Sequence, residues 1–409
     1  MKLAKKERLK RDYEHVVKLT QQLVRIPSVY RPEDPNSNEQ KVASFVAGYL
    51  ENLGIETYVE EVEPGRPNVI GVIDSGKPGK TLLFEGHTDV VTEGDHASWK
   101  YDPFGAQIVN GRMYGRGTND TKGNLACMIT AVQSLLEDQE EFTGKMILCI
   151  PVDEEGMMIG IKHFIKKGWA DDVDGAIICE PEENQICIAQ RGALRIRITV
   201  KGKQAHGAIS WSGINPNWRM AKIITALEQL EIEEQKIHGE HEFLKGPSIT
   251  PTVLKAPITG DAQINVIPES CMTTLDIRTV PNQDHNELLT KIQNTFTELK
   301  EQDENFEASL DVIEDRPPTE TDIKSPVVQA VHASVKEVLG KGPVYNGVPG
   351  ATDGTFLHLH GVPIVTIGAG DRNIPHQVNE YVELNELGET TEIYRKAALN
   401  FLRGISKNV

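Results

Sequence analysis

His87, Asp120, Glu155, Glu180 and His376 are spread along a chain of 409 residues, yet each stands where an apolar or glycine-rich run breaks. Two imidazoles and three carboxylates form a nitrogen and oxygen donor set suited to a pair of zinc ions, with cobalt or manganese as substitutes and no need of a thiolate. In LLFEGHTDVV a buried strand gives way to a loop at His87, and a side chain at a strand's carboxyl end faces the crevice of an open α/β sheet. Asp89 follows by two residues, so on extended backbone its carboxylate points the same way and can orient the imidazole. Asp120, in GRMYGRGTNDTKG, sits in the turn before an apolar helix expected from about Asn124, where a carboxylate can reach two metals. Asp153, Glu154 and Glu155 interrupt MILCIPVDEEG, and three adjacent acids repel unless cations offset them. GAIICEP delivers Glu180 and NIPHQVNEYV delivers His376. Singly, each motif also reads as an ordinary hydrogen-bonded loop; together they point to metal.

These segments, with WKYDPF before GRMYGRGTNDTKG and with KGKQAHGA, stand in the order and approximate spacing of a known family. The chain resembles the M20 family of metallopeptidases and amidohydrolases, which includes acetylornithine deacetylase, succinyl-diaminopimelate desuccinylase, aminoacylase-1 and glutamate carboxypeptidase. The resemblance implies that Asp120 bridges two ions, that His87 and Glu180 complete one coordination sphere, and that Glu155 and His376 complete the other. It implies that Glu154 is the general base and that His206 reaches the partner subunit's site to stabilise the oxyanion. Two ions roughly 3.5–4 Å apart can share a water, lower its pKa towards about 7 and polarise a carbonyl. In the family the peptide bond after the bridging aspartate is typically cis; Thr121 neither requires nor excludes this.

Around these motifs the first 190 residues alternate helix and strand, which predicts a mostly parallel mixed sheet with helices on both faces, a zinc-peptidase-like α/β catalytic domain. From Arg191 to Arg316 the order becomes β-α-β-β-α-β, the signature of a ferredoxin-like insert. The expected organisation is therefore a catalytic domain from 1–190 and 317–409 and a lid or dimerisation domain over 191–316. In the family such an insert forms the homodimer.

Substrate contacts are expected from Arg278 in LDIRTVP and Asn265 in INVIP, which match lid positions around the substrate carboxylate and scissile amide; Arg191 at the hinge is a second candidate that reads equally as a tie between the two domains. A guanidinium suits bidentate pairing with a carboxylate. GVPGATDGTFLH resembles the family's substrate loop, with Gly350 and Thr352 facing the ligand and Asp353 reading equally as a cap of the next helix. The leading expectation is a di-zinc amidohydrolase removing an acyl group from an N-acylated amino acid. A metallo-dipeptidase or carboxypeptidase shares all the metal chemistry, and a non-catalytic metal-binding homologue would have lost a ligand or the base. The net charge of −17 argues against nucleic acid or an anionic membrane as partner. The basic start has no apolar stretch behind it, and five cysteines without metal spacing read as small buried residues; both favour the cytoplasm.

Overall fold

The computed structural model describes residues 2–404. They fall into two compact units: residues up to Ile188 with Thr321–Asn346 and Thr352 onward, and Ala189–Glu320 with Gly347–Ala351.

In the first unit the runs KMILCI, TLLFE and GAII are buried almost throughout, as strands covered on both faces must be. Lys145–Ile150, Thr81–Glu85, Gly175–Ile178 and Ile364–Thr366 lie side by side in that order and run parallel. Arg66–Asp74 and Glu56–Glu63 extend one flank antiparallel, and Ile186–Gln190 extends the other. Alternation along each strand sends side chains to opposite faces. Leu83, Ile147 and Ala176 pack with Ile161, Phe164 and Leu357 from the helices Ile159–Lys166 and Gly354–Leu359. On the other face the Phe84 ring meets Tyr394 of the helix Leu384–Arg403, which packs with Lys122–Glu137 and Lys2–Val24. Burying one such Leu, Ile or Phe contributes about 1.5–3 kcal/mol, so this double-sided core fixes the register of the strand ends. The helix expected near Asn124 begins at Lys122 and is buried over nearly its whole length.

In the second unit the order is strand Gly192–Lys201, helix Pro216–His238, strands Ser248–Lys255 and Ser270–Thr279, helix His285–Gln302 and strand Ala308–Arg316. The four strands form an antiparallel sheet with Ser270–Thr279 and Gly192–Lys201 at its centre. Burial alternates residue by residue along Ser270–Thr279, and Leu275 and Ile277 pack with Ile223, Leu227 and Ile292 of the two helices. Among the described residues no helix is long and apolar enough to cross a membrane.

Candidate metal centre

Four parallel strands present their carboxyl ends along one edge of the sheet, and there the donors collect. Thr81–Glu85 leads to His87, Lys145–Ile150 to Glu154 and Glu155, Gly175–Ile178 to Glu180, and Ile364–Thr366 to the loop carrying His376. His87 is fully buried; its Nε2 lies 3.3 Å from Asp120 Oδ1, 3.6 Å from Glu180 Oε1 and 4.0 Å from Glu154 Oε2. The other Asp120 oxygen, Oδ2, is 3.4 Å from His376 Nε2, which is 2.9 Å from Glu155 Oε2. Asp120 thus stands between His87 with Glu180 on one side and His376 with Glu155 on the other. The donor atoms of His87, Asp120 and Glu155 lie within 4.8 Å of one another.

The fit to divalent cations can be judged from the protein atoms alone. His87 Nε2 and Glu180 Oε1 are buried with no hydrogen-bond partner. An unsatisfied buried polar group costs about 1–3 kcal/mol, so two aimed at the same space suit a cation that takes both as ligands. Electrostatics agree. Burial, with the neighbouring carboxylates and against the pull of His87, pushes Glu154 and Glu180 well above the usual range. Burial and Asp120 push Glu155 up to about 7. Burial alone would lower His87, but Asp120 and Asp89 outweigh it and hold its pKa well up. Burial would raise Asp120, and His376 and His87 instead bring it down.

The frame around these donors is built from further charges. The Asp89 carboxylate accepts the backbone N–H of Glu154 at 3.1 Å and of Glu155 at 3.0 Å. His87 Nδ1 lies 3.0 Å from the Asp89 carbonyl oxygen and 3.4 Å from its carboxylate, which leaves Nε2 facing the cluster. Glu380 accepts the N–H of Asn119 at 2.9 Å and of Asp120 at 3.1 Å, and the Arg116 guanidinium holds it at 2.5 Å. The peptide bond between Asp120 and Thr121 is cis. Arg66 is 2.6 Å from both Glu39 and Asp153 and lies 3.6 Å over the Tyr30 ring, pinning the residue before Glu154.

Sequence reasoning missed Arg66, Glu39, Arg116 and Glu380. Glu380 stood four residues after His376 in the same motif and was open to detection; nothing local marks Arg66 or Glu39. Asp353 corrects an expectation: its side chain makes no cap hydrogen bond, and both its oxygens and both Glu85 oxygens are buried without partners. Burial pushes Glu85 up to about 7 against the pull of His87.

Among the substrate candidates, Thr352 is buried in the first unit, where its hydroxyl accepts the Gly354 N–H. The rest belong to the second unit. Asn265 is exposed and its carbonyl accepts the Gly207 N–H at 2.7 Å, next to His206, which pairs with Val266 in a short two-stranded sheet. His206 Nδ1 accepts the Ala208 N–H at 3.0 Å. Arg278 is held by Asp276 at 2.6 and 3.2 Å. Arg191 donates to the Gly246 carbonyl at 2.6 Å, and burial together with the charge of Arg278 lowers its pKa. Gly350 lies in the segment Gly347–Ala351, where a Cβ would meet open space.

A doubly covered α/β sheet whose strand ends gather imidazoles and carboxylates belongs here to a metal-dependent hydrolase of amide and peptide bonds. The chain is a member of peptidase family M20/M25/M40, whose model matches residues 83–400. It is 30% identical over 404 residues to the N-formyl-4-amino-5-aminomethyl-2-methylpyrimidine deformylase of Bacillus subtilis, covering 93% of each chain. It is 26% identical to a probable succinyl-diaminopimelate desuccinylase of Staphylococcus aureus, over 90% of this chain and 94% of that one. An M20 family metallo-carboxypeptidase from Sulfolobus solfataricus shares the fold with a TM-score of 0.78 at 21% identity, covering 95% of this chain and 99% of that one.

Proposed function

We propose that this protein is a di-zinc amidohydrolase that removes a small acyl group from an N-acylated amino acid. The observation that carries the reading is the placement of Asp120 between His87 with Glu180 and His376 with Glu155, with Glu154 beside them. Asp120 would hold both ions, His87 and Glu180 one, and Glu155 and His376 the other; cobalt or manganese would also satisfy this donor set. When bound, the ions would supply Lewis acidity that lowers the pKa of a water and polarises the scissile carbonyl. Glu154 acts as general base: its burial raises its proton affinity, so it can take a proton from the attacking water and deliver it to the leaving nitrogen. Asp89 fixes His87 and the backbone of Glu154 and Glu155 together.

His206 supports an oxyanion role. Because its Nδ1 accepts a hydrogen bond, the neutral ring carries its proton on Nε2, an exposed donor. We assign it to the partner subunit's site in a homodimer formed through the second unit. That unit's outer strands leave Leu254, Val312 and Ile313 exposed, apolar surface that a second copy would cover. Arg278, Asn265, Arg191, Gly350 and Thr352 are assigned to substrate binding, the guanidiniums to a carboxylate. Five free, buried cysteines support a reducing compartment, the cytoplasm.

The deformylase and desuccinylase relatives both carry names for removal of an acyl group, which favours a deacylase over a dipeptidase or carboxypeptidase. The test is hydrolysis of N-acetyl, N-succinyl and N-formyl amino acids, with N-formyl amines and free dipeptides alongside, by chelated enzyme re-supplied with zinc or cobalt. Metal-restored release from one acylated class is expected; cleavage of dipeptides alone moves the protein to the peptidase branch. Glu154→Gln should lower kcat by about 10²–10⁴-fold while both ions still bind. A catalytically competent Glu154→Gln enzyme would remove the base assignment.

A further inference from the structure

The two imidazoles of the site are held very differently. The His87 side chain is fully buried between Asp89 and Asp120, whereas the His376 side chain is 53% exposed and rides on a loop with its own backbone at φ 68°. Exposed loop positions are the mobile parts of a fold, so something must hold His376 against the cluster.

The root of that loop is laced to the segment that follows Glu180. The N–H groups of Glu182 and Asn184 both donate to the Gly368 carbonyl, at 3.2 and 2.8 Å, and that of Glu183 donates to the Gly370 carbonyl at 3.0 Å. Asn119, the neighbour of Asp120, donates its side-chain amide to the Asp371 carbonyl at 2.9 Å. Beyond Asp371 a charged link runs back to the same segment, the Arg372 Nε lying 2.7 Å from Glu182 Oε2, and Arg116 Nη2 donates to the His376 carbonyl at 3.4 Å. The Glu182 side chain is 5% exposed and that of Arg372 16%, so the pair is largely shielded from water. The Cys187 thiol donates to the same Glu182 oxygen at 3.3 Å and fixes the carboxylate from behind. A shielded, doubly held ion pair is stiff, and losing either partner removes the link.

We propose that Arg372 and Glu182 form a latch that positions His376, and that the latch sets the affinity of the ion held by Glu155 and His376 without setting that of the ion held by His87 and Glu180. The proposal rests on the dinuclear reading above. It places Arg372 as a positioning residue, acting through the loop four residues before His376.

The experiment is calorimetric titration of the chelated full-length protein with zinc, and with cobalt followed by its visible absorption. The wild type is compared with Arg372→Ala, Arg372→Lys and the double variant Arg372→Gln with Glu182→Gln, which leaves no buried charge unpaired. The wild type should take up two ions. Arg372→Ala and the double variant should bind one ion at the wild-type affinity and the second about 10- to 100-fold more weakly, and Arg372→Lys should recover much of that loss. Two ions at wild-type affinities in the double variant would overturn the latch, and so would an equal weakening of both steps. A wild type that binds fewer than two ions would instead overturn the dinuclear reading on which the latch depends.

Discussion

At the scale of single residues, the site is a group of acids that the fold alone does not favour. Glu85 and Glu155 are both pushed up to about 7 by burial in the metal-free chain, from an ordinary value near 4.5. Between those values the folded chain holds protons that the unfolded chain has released, so the stability these two groups contribute is fully present below about pH 4.5 and is lost as pH rises to 7. His376, raised to about 10 by Asp120 and Glu155, extends the same sign from its ordinary 6.5 upward, since its stabilising charge is lost as pH climbs to the folded value. The Tm of chelated protein should therefore fall between pH 5 and pH 8, and added zinc should raise Tm more at pH 8 than at pH 5. A chelated Tm that climbs over that interval would contradict the assignment of these groups. Five ligand candidates and Glu154 were legible because each occupies a break in a strongly patterned run. Of the two readings of Asp353, the cap drops out because its place before a helix is a local signal, while its burial is decided by the packing of the sheet.

At the scale of elements, the expected strands and helices were readable where one periodicity ran unbroken, as in TLLFE, KMILCI and the helix after Asp120. What the periodicity does not carry is how a strand end is held. Arg66 reaches Glu39 across 27 positions and Asp153 across 87, and no local pattern announces a partner so far away. The three charges are almost wholly buried, so Arg66→Met leaves two carboxylates without a counter-charge. That substitution should destabilise the protein by about 3–5 kcal/mol in denaturant unfolding. Adding Glu39→Gln should return part of it. If Arg66→Met unfolds like the wild type, the network does not hold Asp153 in place. Glu380 plays the equivalent part for Asp120, and its position within the His376 motif explains why both ends of that motif matter.

At the scale of the whole molecule, the two units carry different parts of the proposed chemistry. The first holds the metal donors and Glu154, and the second holds His206, Asn265, Arg191 and Arg278. If His206 serves the partner's site, a dimer mixed from inactive His206→Ala and inactive Glu154→Ala protomers contains one site with both groups intact. Co-expressed with two affinity tags and purified for the mixed species, it should regain up to about half the activity of a wild-type dimer. No recovery would place His206 in its own subunit's chemistry or outside it. The order in which the chain leaves the ribosome adds another consequence. Arg8 in the helix Lys2–Val24 is 2.7 Å from Glu392 in the helix Leu384–Arg403, so that segment of the first unit meets its partner only once synthesis has run 384 positions further. Ala189–Glu320 is contiguous apart from one short return segment and can assemble much earlier. The nascent chain therefore carries most of the second unit while the first still waits for Leu384–Arg403, and a message truncated before that helix yields a first unit without the surface that Phe84 and Arg8 meet.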